Sequence, residues 1–112
     1  MRLYEFNYRE GRLKKSAYDV KETKALYILE KGYFDHMYVS RINKGDIGKI
    51  KDDGWFGYTM LSDNDDIEPF LEKIAEKEKA KMQKMVDEMK KLNENIKVLT
   101  DRTFKIIDET EE

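Results

Sequence analysis

Cationic and aromatic side chains in the first half of the chain carry its most suggestive chemistry. Arg41 and Lys44 are positively charged, and Asn43 beside them offers a side-chain amide. A guanidinium with an ammonium can bind a phosphate group, and an amide can hydrogen-bond to a base edge or a ribose. A base can also stack on the rings of a segment about a dozen residues later, namely Trp55, Phe56 and Tyr58. This pattern favours a site for a phosphate-bearing ligand.

The same pairing of a cation with a ring recurs near the C-terminus, at Arg102 and Phe104. A competing interpretation applies to both groups. Aromatic side chains of a small sheet usually form its core, and Arg41 can simply pair with an aspartate. The sequence leaves the ligand site and the structural interpretation open.

Side chains for catalysis are scarce. The chain has no cysteine and a single histidine, His36, so it offers no thiolate nucleophile and no pair of histidines for a metal. We expect His36 to be structural. The acidic residues at 63–66 resemble the start of a calcium loop, but the glycine and terminal glutamate of that motif are absent. We therefore expect no enzyme, no metal and no cofactor, and we interpret the acidic run as a helix cap.

Length and charge set the class of the protein. Residues 1–112 fit one domain with a modest core. Residues 1–62 hold 12 Lys/Arg and 9 Asp/Glu, whereas residues 63–112 hold 10 and 15, so the first part is the better place for an anionic ligand. The sequence shows neither a signal peptide nor an apolar run long enough for a membrane span, which favours a cytoplasmic protein.

Short alternating and apolar segments over residues 1–61 predict β-strands. Tyr4, Phe6 and Tyr8 alternate with the residues between them, and Glu10-Gly11 predicts a hairpin turn. No connection is long enough for a parallel crossover, so we expect an antiparallel meander. Beyond the first strand, strands are predicted at residues 16–23, 25–30, 36–42 and 55–61.

One long helix is predicted over residues 66–99, followed by a short tail at residues 100–112. Pro69 is tolerated only in the first turn, which places the helix start near Asp66. About thirty helical residues span roughly 45 Å, whereas a compact domain of this size has a radius of gyration of roughly 13 Å. The fold class is therefore α+β, with a helix longer than its own domain can cover.

Apolar side chains continue along the second half of that helix at spacings of four and three residues. Such a stripe is typical of a helix that packs on another helix. A second copy of the chain is the simplest cover, so we expect at least a dimer. The predicted interface consists of Met85, Met89, Leu92, Ile96 and Leu99.

The layout resembles small proteins encoded by phages of low-GC Gram-positive bacteria. It combines a strand-rich first half, the segment Arg-Ile-Asn-Lys-Gly-Asp-Ile-Gly-Lys at residues 41–49, an aromatic strand and a long Lys/Glu-rich helix. Within that group it is most similar to the Thoeris anti-defence proteins, which sequester cyclic ADP-ribose signals made by bacterial TIR-domain enzymes. The resemblance implies dimers or larger oligomers that hold the nucleotide between protomers without cleaving it.

Two functions stand as hypotheses. In the first, the chain is a non-enzymatic phage anti-defence protein of the host cytosol that sequesters a cyclic nucleotide signal. In the second, it is a protein-binding inhibitor or adaptor, because Met82, Met85 and Met89 can form an adaptable docking face on the helix. Neither hypothesis requires a nucleic-acid polymer or a membrane as a partner.

Overall fold

The computed structural model describes residues 1–54 and 57–110. Trp55 and Phe56 therefore lie outside the described residues. The chain divides into two compact units, Met1–Glu76 and Lys77–Glu112. The first unit contains all the strands and the start of the helix, and the second contains the rest of the helix and the tail.

An N-terminal hairpin supplies two adjacent strands of the larger of two sheets. Strands β1 (Arg2–Arg9) and β2 (Arg12–Asp19) are joined by Glu10 and Gly11, which have φ angles of 48° and 78°. Two consecutive residues with positive φ match the right-handed twist of a two-residue hairpin, and a glycine adopts that conformation without a steric penalty. The predicted turn is confirmed.

Two antiparallel sheets contain the remaining strands. Their bounds are Lys21–Glu22 for β3, Leu26–Ile28 for β4, Arg41–Asn43 for β5, Lys51–Asp52 for β6 and Tyr58–Ser62 for β7. The larger sheet has the order β2-β1-β7-β6, so the central strand β1 pairs with β7 as well as with its neighbour in sequence. The smaller sheet has the order β3-β4-β5.

The central strands of the larger sheet are buried on both faces, so the first unit has two apolar clusters. One face carries Leu3 and Leu61 and packs against the smaller sheet and the loop around Phe34. The opposite face carries Phe6 and packs against the first turns of the helix. Alternation along β1 therefore divides its side chains between two cores rather than between a core and solvent.

Helix α1 (Glu68–Asp101) follows the acidic run directly. The Asp66 carboxylate accepts a hydrogen bond from the backbone N–H of Glu68 at 3.1 Å, and Pro69 lies in the first turn. At the other end Arg102 has a φ of 55°, and the N–H of Thr103 bonds to the Val98 carbonyl at 3.1 Å. Both ends thus satisfy backbone groups that a helix leaves unpaired. The predicted α+β fold, with antiparallel strands and one long helix, is confirmed.

The segment predicted as a strand at residues 36–42 is mostly a turn. Residues 35–37 form a turn, Tyr38 has a φ of 55°, and only Arg41–Asn43 is extended in a sheet. Two hydrogen bonds close the loop: Phe34 donates to the Val39 carbonyl and Tyr38 donates to the Phe34 carbonyl. Buried Phe34 anchors this loop on the larger sheet, and that long-range contact outweighs local strand propensity.

Candidate functional site

Two of the residues predicted from sequence line an open cavity of about 380 Å³ in the first unit. We call it the Arg41 cleft. Its polar and charged lining residues come from β5, the 3₁₀ turn after it, the segment between this turn and β6, and β6 itself. Its walls are formed by Met37, Val39, Arg41, Ile42, Asn43, Asp46, Lys49, Ile50 and Lys51.

Strand geometry explains why Arg41 and Asn43 share this cleft. Residues two apart in a strand lie on the same face, and both side chains are exposed. Ile42 between them is buried and packs with Tyr27 in the core. The apolar residue thus fixes the strand while its polar neighbours face outward.

Four charged residues besides Arg41 surround the cleft or its edge. Lys49 pairs with Asp46 at 3.3 Å, three residues earlier in the chain, and Lys51 pairs with Asp53 at 3.6 Å. Arg41 takes part in no ion pair within residues 1–54 and 57–110. The guanidinium of Arg41 is therefore the cation of this cleft that is available to bind an external anion.

Lys44 contacts two residues of the smaller sheet. Its ammonium lies 2.6 Å from a carboxylate oxygen of Glu22 and 5.3 Å from the centre of the Tyr27 ring. Both partners belong to the smaller sheet, so this side chain ties the end of β5 to β3 and β4. It is not among the residues that line the Arg41 cleft.

The predicted aromatic platform is described only in part. Tyr58 is 3% exposed and packs with Phe6 and Phe70, so its ring belongs to the core. Trp55 and Phe56 lie outside the described residues.

Arg102 and Phe104 belong to the second unit, so the sequence-predicted cation and ring near the C-terminus are described apart from the cleft. Arg102 ends the helix, and Phe104 is partly exposed.

A buried carboxylate holds the loop that forms one wall of the cleft. Glu5 is 1% exposed, and its oxygens accept hydrogen bonds from the backbone N–H of His36 at 3.3 Å and from the Tyr18 hydroxyl at 3.5 Å. The His36 ring nitrogen Nδ1 lies 3.0 Å from the same carboxylate. A buried carboxylate needs such donors, and here they come from both the sheet and the loop. His36 is thus a structural residue with a specific partner.

Burial is the main cause that raises the pKa of Tyr18 above the ordinary tyrosine value, and the nearby negative charge of Glu5 raises it further. A hydrogen bond from the Asp35 backbone to the hydroxyl opposes this shift. Sequence reasoning missed this cluster because a glutamate on an alternating strand predicts solvent exposure.

The cleft is adjoined by a second, smaller cavity. It measures about 80 Å³ and is lined by His36, Tyr38, Lys51 and Asp53. Lys51 lines both cavities. Tyr38 has an exposed ring on a backbone of positive φ, a conformation that side chains other than glycine adopt at a cost. This ring is the described aromatic side chain nearest in sequence to Arg41.

The predicted interface residues of the helix are all exposed within the single chain. Met85, Met89, Leu92, Ile96 and Leu99 are between 59% and 68% exposed, and Met82 falls in the same range. Earlier in the same helix, Phe70 and Ile74 are buried against the sheet. The second half of α1 therefore presents a continuous apolar stripe to solvent.

Comparison of the chain with protein-family models, curated proteins and solved structures finds no match. Among the described residues, no group of three or more histidines, aspartates or glutamates could hold a metal ion, and no helix is long and apolar enough to cross a membrane.

Proposed function

We propose that this chain is a non-enzymatic binding protein that holds a nucleotide-like ligand at the Arg41 cleft and self-associates through its helix. The observation that carries the proposal is the convergence of Arg41, Asn43 and Lys51 on one open cavity. These are side chains that bind phosphate oxygens and hydrogen-bond to sugar or base edges.

The size and lining of the cleft favour a small phosphorylated molecule. A cavity of about 380 Å³ falls in the range that drug-sized ligands and cofactors occupy. Met37, Val39 and Ile50 supply apolar surface beside the charged groups. The flat ring of a nucleotide-like ligand can lie on that surface, because a thioether and aliphatic groups pack against an aromatic face. The phosphates of the same ligand can then contact Arg41.

The resemblance to Thoeris anti-defence proteins makes cyclic ADP-ribose isomers the first ligands to test. In this proposal a phage uses the chain to sequester the signal in the host cytosol. Sequestration requires only shape, hydrogen-bond donors and charge, whereas hydrolysis requires a base or a metal that activates water. A bound signal should therefore leave the protein unmodified.

Self-association is proposed through the apolar stripe of the second unit. Met82, Met85, Met89, Leu92, Ile96 and Leu99 follow the 3-4 spacing of the a and d positions of a coiled coil. A parallel pair of such helices brings each flanking g position close to an e position of the partner. These pairs are Lys81 with Val86, Glu88 with Asn93 and Asn95 with Thr100. None of them places like charges together, so a second copy of the chain is an electrostatically compatible partner.

The exposed methionines favour a second candidate function. Met82, Met85 and Met89 are consecutive on the stripe, and their flexible thioether side chains adapt to varied partner surfaces. A protein-binding inhibitor or adaptor would use this part of the stripe to engage another protein. That function predicts a chain that is monomeric by itself.

Isothermal titration calorimetry with cyclic ADP-ribose isomers tests the ligand proposal. Arg41→Ala should weaken binding by about 1.5–3 kcal/mol through the loss of a charge-assisted contact, and it should leave the melting temperature of the free protein nearly unchanged. Lys24→Ala is the matched control, because Lys24 is exposed and does not line the cleft.

Two outcomes oppose the proposal. Unaltered affinity in Arg41→Ala would remove the cleft from the binding site, and Arg102 would be the next residue to replace. Chromatography of ligand released from heated protein checks the absence of chemistry. Recovery of intact ligand is expected, whereas progressive formation of linear ADP-ribose would establish an enzyme.

A further inference from the structure

His36 has a second ring nitrogen that its hydrogen bond to Glu5 does not use. Nδ1 lies 3.0 Å from the buried Glu5 carboxylate, and the backbone N–H of His36 donates to both oxygens of the same group at 3.3 Å. These contacts fix the position of the imidazole ring. Within residues 1–54 and 57–110, the other ring nitrogen, Nε2, takes part in no hydrogen bond.

The buried carboxylate determines which nitrogen carries the hydrogen. Three donors converge on Glu5, namely the backbone N–H and Nδ1 of His36 and the hydroxyl of Tyr18, and a buried negative charge requires such donors. An ionised carboxylate only accepts hydrogen bonds, so Nδ1 must donate. In the neutral imidazole, Nε2 then keeps its lone pair and can accept a hydrogen bond from a ligand.

His36 lines the smaller cavity beside the Arg41 cleft. Its volume of about 80 Å³ is well below the roughly 300–1,000 Å³ of pockets that enclose a whole ligand. The other lining residues are Tyr38, Lys51 and Asp53, and Lys51 lines the cleft as well. Because Lys51 and Asp53 form an ion pair at 3.6 Å, this cavity suits a neutral polar group better than a phosphate.

Tyr38 provides a second sign of a ligand site. Its φ of 55° is unfavourable for a bulky residue, and its ring is 77% exposed. Burial of the ring within the chain therefore does not explain the conformation. Residues held in such sparsely populated conformations cluster at ligand sites.

We propose that His36 is a ligand contact, at which Nε2 accepts a hydrogen bond from a sugar hydroxyl of a ligand whose phosphate contacts Arg41. The inference rests on the proposed function, because it extends the same ligand from the Arg41 cleft past Lys51 into the smaller cavity. It narrows the ligand class to phosphorylated sugars and nucleotides that keep a free hydroxyl.

The tautomer can be measured without a ligand, because His36 is the single histidine of the chain. Nitrogen-15 nuclear magnetic resonance at mildly alkaline pH, where imidazole side chains are neutral, should show the hydrogen on Nδ1 and the lone pair on Nε2. A hydrogen on Nε2 would overturn the proposal, because that nitrogen could not then accept a hydrogen bond from a hydroxyl.

AMP is the probe for the ligand contact, because it carries a phosphate group and free ribose hydroxyls. It should shift both the amide signal of Gly48, next to Lys49 of the cleft, and the Nε2 signal of His36. Of the 2′-deoxy and 3′-deoxy forms of AMP, one should bind about three- to tenfold more weakly than AMP, as expected for one neutral hydrogen bond.

His36→Asn separates ligand binding from the structural bond to Glu5. The asparagine amide nitrogen can occupy the position of Nδ1, whereas no atom replaces Nε2. This variant should bind AMP about three- to tenfold more weakly and should bind AMP and its deoxy forms equally. Tyr33→Asn is the matched control, because Tyr33 lies on the same loop, is exposed and lines neither cavity. A purely structural His36 predicts unchanged AMP affinity in His36→Asn.

Failure of this inference is distinguishable from failure of the proposed function. A shift at Gly48 with none at His36, or unchanged affinity in His36→Asn, overturns the His36 contact and leaves the Arg41 cleft in place. Binding that His36→Asn weakens but Arg41→Ala does not would also overturn it, because the phosphate would lie elsewhere. Millimolar AMP that shifts neither signal overturns the contact as well, and calorimetry with cyclic ADP-ribose isomers then decides the proposed function separately.

Discussion

Phe70 and Leu92 are apolar residues of the same α-helix, yet Phe70 is fully buried and Leu92 is 62% exposed. Phe70 packs on Phe6 of the larger sheet, with ring centres 5.8 Å apart. Leu92 lies in the second unit, where every residue of the helix but Val86 is exposed. The spacing of apolar residues along a helix therefore predicts that their stripe is buried by another segment. Which segment buries the stripe depends on which part of the chain reaches it in the folded structure.

The largest expected effect separates these two parts of the helix. Phe70→Ala should lower the free energy of unfolding by about 3–5 kcal/mol, because it removes a buried ring and leaves a cavity. Leu92→Ala should change it by less than about 0.5 kcal/mol at concentrations where the chain is monomeric. Urea unfolding followed by circular dichroism measures both. Similar losses in the two variants would mean that the second half of the helix is covered within one chain.

Close packing inside the first unit is tested at Gly57. Its φ of 85° lies in the left-handed region, and an added Cβ would collide with the Tyr8 carbonyl oxygen. Gly57→Ala should therefore cost at least about 1–2 kcal/mol from the backbone conformation alone. Gly45→Ala is the control, because no atom lies within 4 Å of an added Cβ and its φ is not positive. Equal stability of the two variants would contradict the close contact between Gly57 and β1.

Association through the stripe is tested by a charge on its seam. Leu92→Glu should weaken dimerisation by about tenfold or more, since it buries a charge without a partner. Ala80→Glu adds the same charge off the seam and should leave dimerisation unchanged. Sedimentation velocity at micromolar concentration measures the effect. A wild-type chain that stays monomeric would remove self-association and favour a protein partner.

A smaller effect is expected from Tyr18. Because its pKa is raised in the folded state, chiefly by burial, the unfolded chain loses this proton at lower pH than the folded chain does. Stability is therefore unaffected below the ordinary tyrosine pKa of about 10 and falls as the pH rises from there through the folded pKa. Thermal melting at a series of alkaline pH values should show a smaller loss in Tyr18→Phe. An identical pH dependence in both proteins would contradict this role.

The elements that sequence predicted best are those set by neighbouring residues. Glu10-Gly11 specifies a two-residue turn, and Pro69 with the acidic run specifies a helix start. Sequence did not predict that β1 pairs with β7, because that pairing depends on burying both faces of β1. It also missed the interior position of Glu5, whose donors on Tyr18 and His36 meet it only in the folded loop.

The lining of the Arg41 cleft was predicted in part for the same reason. Arg41 and Asn43 share this cleft because alternate residues of a strand share a face. Lys49 and Lys51 were missed, since the turn at Lys44–Asp46 brings them back toward β5. The sequence did not predict the contacts of Lys44 with Glu22 and Tyr27, because they depend on pairings between distant segments. Its role as a ligand contact stays a prediction.

Native mass spectrometry of the protein after incubation with cyclic ADP-ribose isomers tests ligand binding and self-association together, because one spectrum reports both the oligomer and the retained ligand. We expect a dimer or larger oligomer carrying the mass of intact ligand, with less bound ligand in Arg41→Ala and less oligomer in Leu92→Glu. A wild-type monomer with no added mass would contradict this expectation.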